Sequence, residues 1–356
     1  MGESTALVTG AGGEMGRLLV PALAGRGYQV IALDRSPMAP ELTALCRATY
    51  QADILETERL AEVLRAHPPT FVFHLAAMLS ASAEHDPDLA HRVNVEATLA
   101  LFRLCRSAGP VRFLFPSSIA VYGLPDRATK DSQGALKEWQ WTTPTAMYGC
   151  NKLYCELVGA YVAKSTSGVF DFRSIRFPGL ISADTLPSGG TTDFAPEMIH
   201  SAARGEPYVC FVREDSRLPF MTMPDAIDAV LALAGAEASR LTTRVYNIKG
   251  FACSAGEIRD EVLRHFPRAR ITFESLPDKQ RIVDSWPADV DDSRARRDWE
   301  LTRRHGLAEA FGEYLVPALN RRYGATVARA SDPAPRAGAP RDTDSIDPGG
   351  RESWPR

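Results

Sequence analysis

Apolar residues in the first half of the chain fall into short runs separated by stretches of helical spacing. Ala6-Leu7-Val8 is a run that ends in glycines, and from Met15 to Leu23 the apolar positions recur with a helical period. Val30-Ile31-Ala32-Leu33 is a second run, ending at Asp34. Short apolar runs without alternation suit strands covered on both faces, so this stretch reads as strand, glycine turn, helix, strand: a βαβ unit. The pattern then predicts a helix over 60–66, a buried strand over 71–77, a long helix over 93–108 and a strand over 111–117. A helix over 147–164 and a strand over 170–177 complete it. Strands alternating with helices predict an α/β fold, a doubly wound parallel (Rossmann) sheet with helices on both faces.

The texture changes after Pro178. Residues 179–193 are rich in Gly, Ser, Thr and Pro, which suits an ordered loop over a site or a domain crossing. Helices are predicted over 194–204, 225–236 and 255–265, and a strand over 244–249. From Val327 to Arg356 large apolar residues almost vanish, so this stretch is expected to be a disordered tail. The division expected is a dinucleotide-binding domain over 1–178, rejoined by 220–250, and a smaller substrate lobe built from 179–219 and 251–326.

Composition narrows the function classes. The chain has 356 residues, 45% hydrophobic and 24% charged, as in a soluble globular protein larger than one ordinary domain. Lys+Arg number 41 against 44 Asp+Glu, so no partner nucleic acid held by bulk positive charge is expected. No apolar run approaches the roughly 18 residues of a membrane span. No basic segment precedes an apolar core at the start, and Ala6 stands where myristoylation wants Ser or Thr. A cytoplasmic protein without a membrane partner is expected. The six cysteines form no CxxC pair and read as reduced thiols. The seven histidines form no HExxH, so no metal is implied, and there is no GxxxxGK[ST] loop.

The glycine turn carries the first chemistry. Gly10, Gly13 and Gly16 stand at GxxGxxG spacing, after a strand and at the start of a helix. Glycine lets the backbone turn tightly and approach a pyrophosphate, whose charge rests on the N–H groups of the helix N-terminus. Asp34 ends the next strand at the distance expected of a ribose-binding carboxylate, with a loop N-cap as the plainer reading. Arg35 follows, but the carboxylate favours NAD over NADP. Asp53-Ile54 follows a short strand and suits either an adenine cover or a helix cap.

The GxxGxxG turn, His74-Leu75-Ala76-Ala77, Asn94 within Arg92-Val93-Asn94-Val95, Ser117-Ser118-Ile119-Ala120-Val121-Tyr122-Gly123 and Tyr148-Gly149-Cys150-Asn151-Lys152 occur in this order. Together they resemble the short-chain dehydrogenase/reductase superfamily, in its extended, epimerase-like branch. The resemblance implies NAD as cofactor. It implies a cofactor set of Gly10, Gly13, Glu14, Met15, Gly16, Asp34, Arg35, Asp53, Ile54, Leu75, Ala76, Ala77, Asn94, Tyr148, Lys152 and Phe177. It also implies Ser118, Tyr148 and Lys152 as the catalytic set. Tyr148 and Lys152 are four apart, so a helix puts them on one face. A nearby ammonium favours the phenolate, which then takes a proton from a substrate hydroxyl held by Ser118. Ser117 is the alternative hydroxyl.

Further segments are similar to one group in that branch, the short-chain-type L-threonine 3-dehydrogenases. They are Ala76 to Glu84, Pro116 to Gly123, Arg173 to Ser182, Gly189 to Ala195, Asp284-Ser285-Trp286-Pro287 and Asp291-Asp292-Ser293. This resemblance implies oxidation of the C3 hydroxyl of L-threonine to 2-amino-3-oxobutyrate. It implies an amino-acid pocket of Ser80, Ser118, Tyr148, Thr191, Thr192 and Trp286, and a homodimer paired through the helices at 93–108 and 147–164. From the residues alone, Trp286 also suits lobe packing, and Thr191-Thr192 a capped helix start. The alternatives are a nucleotide-sugar epimerase or dehydratase, or a dehydrogenase of another small β-hydroxy acid. Epimerases hold a diphosphate with arginines; Leu218 stands where one would fall, with Arg217 adjacent.

Overall fold

Each apolar run of the first half forms a strand. The computed structural model describes residues 4–166, 168–187 and 189–330. Its strands are β1 (Thr5–Thr9), β2 (Gln29–Asp34), β3 (Ala48–Gln51), β4 (Phe71–His74), β5 (Val111–Ser118) and β6 (Phe170–Phe177). They continue with β7 (Gly179–Ile181), β8 (Tyr208–Cys210), β9 (Arg217–Thr222), β10 (Val245–Asn247), β11 (Phe251–Ser254) and β12 (Ile271–Phe273). The main sheet has the order β10-β6-β5-β4-β1-β2-β3, and all its pairings are parallel. The chain reverses its direction of winding between β1 and β4, which opens a crevice at their carboxyl ends.

Helices cover both faces. Leu19, Val20 and Leu23 of Glu14–Ala24 and Ala226, Val230 and Leu233 of Met223–Gly235 fill one side. Leu60 and Val63 of Thr57–Ala66 and Leu101 and Phe102 of Ala97–Ala108 fill the other. A third core lies in the lobe, where Phe194, Met198, Phe220, Val283, Trp286 and Phe311 meet.

Several boundaries differ from the sequence pattern. The helix expected over 93–108 opens with a π-helical turn, Arg92–Glu96, ahead of Ala97–Ala108. The wide turn leaves the Asn94 carbonyl to accept from Thr98 Oγ1 (2.7 Å) and Cys155 Sγ (3.3 Å). β4 stops at His74, because the next residues leave the sheet to wall the crevice. Residues 179–193 are not loop throughout: β7 pairs with β9, which pairs with β11. β9 of that small sheet runs across the expected boundary at 219–220, while β10 joins the main sheet. The last helix, Val316–Ala330, passes the expected start of the tail at Val327; residues 331–356 lie outside the described residues. Among the described residues, no helix is long and apolar enough to cross a membrane.

Candidate active site

The glycine turn sits where the sheet opens. Gly10 has φ of +69°, and a Cβ there would lie 2.7 Å from the Ala76 nitrogen. Only glycine lets the end of β1 lie this close to the segment after β4. A Cβ on Gly16 would strike the Ala11 carbonyl, so glycine also seats helix Glu14–Ala24 directly over the turn. Asp34 Oδ2 accepts from Gly12 N (2.9 Å) and Oδ1 from Ser36 N (2.9 Å), which fixes the carboxylate beside the turn. A bare helix N-terminus, a cradle that any Cβ would fill and a fixed carboxylate together fit a dinucleotide.

β5 delivers Ser118, whose Oγ accepts from Ala120 N (3.1 Å). Helix Met147–Ser165 delivers Tyr148 and Lys152 on one face. A Cβ on Gly149 would strike the Ala120 carbonyl, so glycine allows that helix to press against the turn after Ser118. Lys152 Nζ donates to the Pro116 carbonyl (2.7 Å) and lies 5.5 Å from the Tyr148 ring centre.

A cavity of about 310 Å³ joins these parts. Its walls include Gly10, Gly13, Glu14, Met15, Gly16, Leu75, Ala77, Ser118, Tyr148, Lys152 and Phe177. On the lobe side they include Ser80, Thr191, Thr192 and Trp286. Ser80 Oγ lies 3.0 Å from Thr191 Oγ1 and accepts from Thr191 N (3.1 Å), which ties the loop after β4 to the lobe. Thr191 and Thr192 therefore do not cap helix Phe194–Arg204, whose N-cap position is Asp193. Trp286 is buried both in the lobe core and at the cavity, and its indole N–H has no hydrogen-bond partner.

Other expected residues lie off the cavity wall. Asn94 clasps the Met78 backbone, accepting from its N–H (2.8 Å) and donating to its carbonyl (3.1 Å). Ala76 abuts Gly10, and Arg35 is exposed. Asp53 accepts from Leu55 N (2.9 Å), while Ile54 packs in the core. The sequence reading did not include Asp193, Leu79, Leu180 or Met223, which all line the cavity. Asp193 Oδ2 accepts from Gly189 N (2.8 Å) and Gly190 N (2.7 Å). Its signal was its place next to Thr192; the three apolar residues come from separate elements and carried none.

The model of the NAD dependent epimerase/dehydratase family matches residues 6–248. The chain belongs to that family. It is 34% identical to the mitochondrial L-threonine 3-dehydrogenase of Bos taurus over 308 residues, covering 86% of this chain and 80% of the relative. The holo GalE-like L-threonine dehydrogenase of Cupriavidus necator superposes with a TM-score of 0.80 at 35% identity, covering 88% of this chain and 99% of that one. A monomeric L-threonine 3-dehydrogenase from a metagenome gives 0.81 at 32%, with 89% and 99% covered. This family member is an NAD-dependent dehydrogenase.

Burial sets the charges of the site. It pushes the Tyr148 phenol above its ordinary range and pulls Lys152 down to about 8. His74, packed between Thr9 Oγ1 (2.7 Å) and Thr98 Oγ1 (2.9 Å), is pulled down to about 3 by burial and then by the Lys152 charge. It is thus a neutral strut under the glycine turn.

Proposed function

We propose that this enzyme oxidises the C3 hydroxyl of L-threonine to 2-amino-3-oxobutyrate, with Ser118, Tyr148 and Lys152 as its catalytic residues. The observation that carries the reading is the polar make-up of the cavity. Among the described residues its wall includes hydroxyls, the Trp286 side chain, the Asp193 carboxylate and Lys152, and no arginine. Arg217 turns away, donating to Glu257 Oε2 (2.7 Å) and the Ala252 carbonyl (2.6 Å). A sugar diphosphate would find no guanidinium here, whereas a small zwitterion finds an anion for its ammonium and O–H donors for its carboxylate.

Ser118 holds the substrate hydroxyl, and Tyr148 as phenolate takes its proton as the C–H bond breaks. Bound NAD supplies the hydride acceptor on the same carbon. Lys152, still protonated at pH 7, stands 5.5 Å from the Tyr148 ring centre, where a cation favours the phenolate that burial opposes. Ser80 orients Thr191, and Trp286 closes the lobe side against water. Tyr154, Leu157 and Tyr161 form an exposed stripe at three- and four-residue spacing on the catalytic helix, which supports a dimer through this face.

The test is NADH formation with L-threonine, L-serine, 3-hydroxy acids and UDP-sugars, with sugar products analysed in parallel. L-Threonine gives the largest kcat/KM. Tyr148→Phe abolishes turnover while NAD still binds. Conversion of a UDP-sugar alone, or full activity in Tyr148→Phe, overturns the reading.

A further inference from the structure

Tyr148 stands in the first turn of helix Met147–Ser165, and two substrate-facing arms are attached at or just before that turn. The helix has Ala146 at its N-cap, with no capping side chain of its own. Glu84 supplies the missing acceptor from another element: its Oε1 accepts from Met147 N (2.6 Å). Glu84 sits on the short helix Ser80–His85, one turn after Ser80, so the two share a face. Ser80 thus reaches the cavity while Glu84 bolts the same helix to the residue before Tyr148.

The lobe makes a second attachment. Ser285 Oγ lies 2.8 Å from Thr145 Oγ1, and the Ser285 carbonyl accepts from Leu124 N (2.8 Å). Ser285 immediately precedes Trp286. Lys130, buried, donates its Nζ to the Val283 carbonyl (2.8 Å) and so pins the end of helix Pro277–Ser285 on the same side. The Ser80 arm therefore meets the catalytic helix at Met147 and the Trp286 arm meets the segment leading into it at Thr145, both within a few residues of Tyr148.

We propose that Glu84 and the Thr145–Ser285 pair are positioning residues that register the two substrate-contacting arms on Tyr148. The proposal rests on the catalytic role given to Tyr148 above. Neither group touches the cavity, so each acts through its neighbour: Glu84 through the catalytic helix, Ser285 through Trp286. A misplacement of about 1 Å at a reacting group costs on the order of a hundredfold in rate, so loss of a single tether leaves a measurable defect.

The test compares full-length Glu84→Ala, Glu84→Gln and Ser285→Ala with the unaltered enzyme, each saturated with NAD. In Glu84→Ala, kcat for L-threonine falls about tenfold or more, the NAD dissociation constant stays within about twofold, and amide hydrogen exchange at 147–150 quickens. Glu84→Gln restores most of the rate and the protection, because its amide oxygen still accepts from Met147 N. Ser285→Ala raises the L-threonine KM about tenfold and leaves kcat much less changed. Unchanged kcat and exchange in Glu84→Ala, equal damage in Glu84→Gln, or an unchanged KM in Ser285→Ala overturns the proposal. If the unaltered enzyme oxidises no L-threonine, the substrate assignment fails instead. The exchange comparison, read without substrate, then still decides the role of Glu84.

Discussion

Replacing Glu156 by Gln strands a buried guanidinium. Glu156 lies two turns beyond Tyr148 on the catalytic helix, and Arg176 lies at the end of β6, next to Phe177 of the cavity wall. Their side chains are 2% and 5% exposed. Arg176 Nε donates to Glu156 Oε1 (2.9 Å) and Nη2 to Oε2 (2.6 Å), a two-point pair that fastens the helix to the sheet. Burial lowers the Arg176 pKa and the Glu156 charge more than restores it; an arginine is effectively always protonated, so the guanidinium stays charged when its partner is neutralised. Loss of a neutral buried hydrogen bond costs about 1–3 kcal/mol, but an uncompensated buried charge costs about 3–5 kcal/mol. At about 2–4 °C per kcal/mol for a large domain, Tm falls by roughly 6–20 °C. Thermal unfolding at pH 7 followed by circular dichroism reads this directly. The double variant Glu156→Met/Arg176→Met recovers at least half of the loss. In that variant the Tyr122 hydroxyl keeps its acceptor at Asn247 Oδ1 (2.7 Å), and the Glu138 carbonyl gives up its Arg176 donor. A Tm drop below about 2 °C in Glu156→Gln refutes the reasoning, since the charge would then be solvated.

Lys152→Met removes a cation whose pKa burial lowers from 10.5 to about 8. Between those values the unfolded chain holds a proton that the folded one has lost, so this group makes folding more favourable as pH rises. Relative to the unaltered enzyme, the variant is therefore favoured at pH 7 and loses up to ~3 kcal/mol of that advantage by pH 10.5. Urea midpoints at the two pH values measure it, and an identical difference at both refutes it; Lys130 titrates similarly but is common to both proteins. Leu157→Arg places a charge in the centre of the exposed stripe on the catalytic helix. Light scattering then shows a dimer converted to monomer with folding intact, and an unaltered enzyme that is already monomeric rules out the dimer.

Most of the main sheet was legible because its strands are covered on both faces and therefore carry no polar alternation to blur them. β1, β2 and β5 stood out as apolar runs closed by Gly, Asp or Ser, whereas β6 carries Asp171, Arg173, Ser174 and Arg176 among its apolar residues. The lobe strands were illegible for the opposite reason. β7, β8 and β12 have three residues each, too few to show a period, and their pairing follows from contacts distant in sequence. The tight turn after β1 was legible through the spacing of Gly10, Gly13 and Gly16, set between a strand and a helix. Leu79, Leu180 and Met223 were not, because an apolar wall residue looks like any core residue until the elements assemble. Asn94 shows a third case. It was picked out as a cofactor residue, and the structure places it one layer back, holding the Met78 backbone whose neighbours Ala77 and Leu79 line the cavity.

The loop from Asp131 to Pro144, with its two tryptophans, gains a physical role from these contacts. β10 is an edge strand, and an uncovered edge leaves backbone groups unpaired. The loop covers it: Asn247 N donates to Glu138 Oε1 (3.4 Å) and Asn247 Nδ2 to the Leu136 carbonyl (3.0 Å), and Tyr122 and Arg176 fill the space behind. Leu136 also exchanges backbone hydrogen bonds with the lobe, donating to the Asp289 carbonyl (3.0 Å) and accepting from Asp291 N (2.8 Å). Trp139 lies under the Arg294 guanidinium, 4.4 Å from its ring centre, so its exposed face is part of a cation–π clasp to the lobe and not a substrate contact. The strap therefore joins the sheet edge, the catalytic helix through Arg176–Glu156, and the lobe segment that follows Trp286.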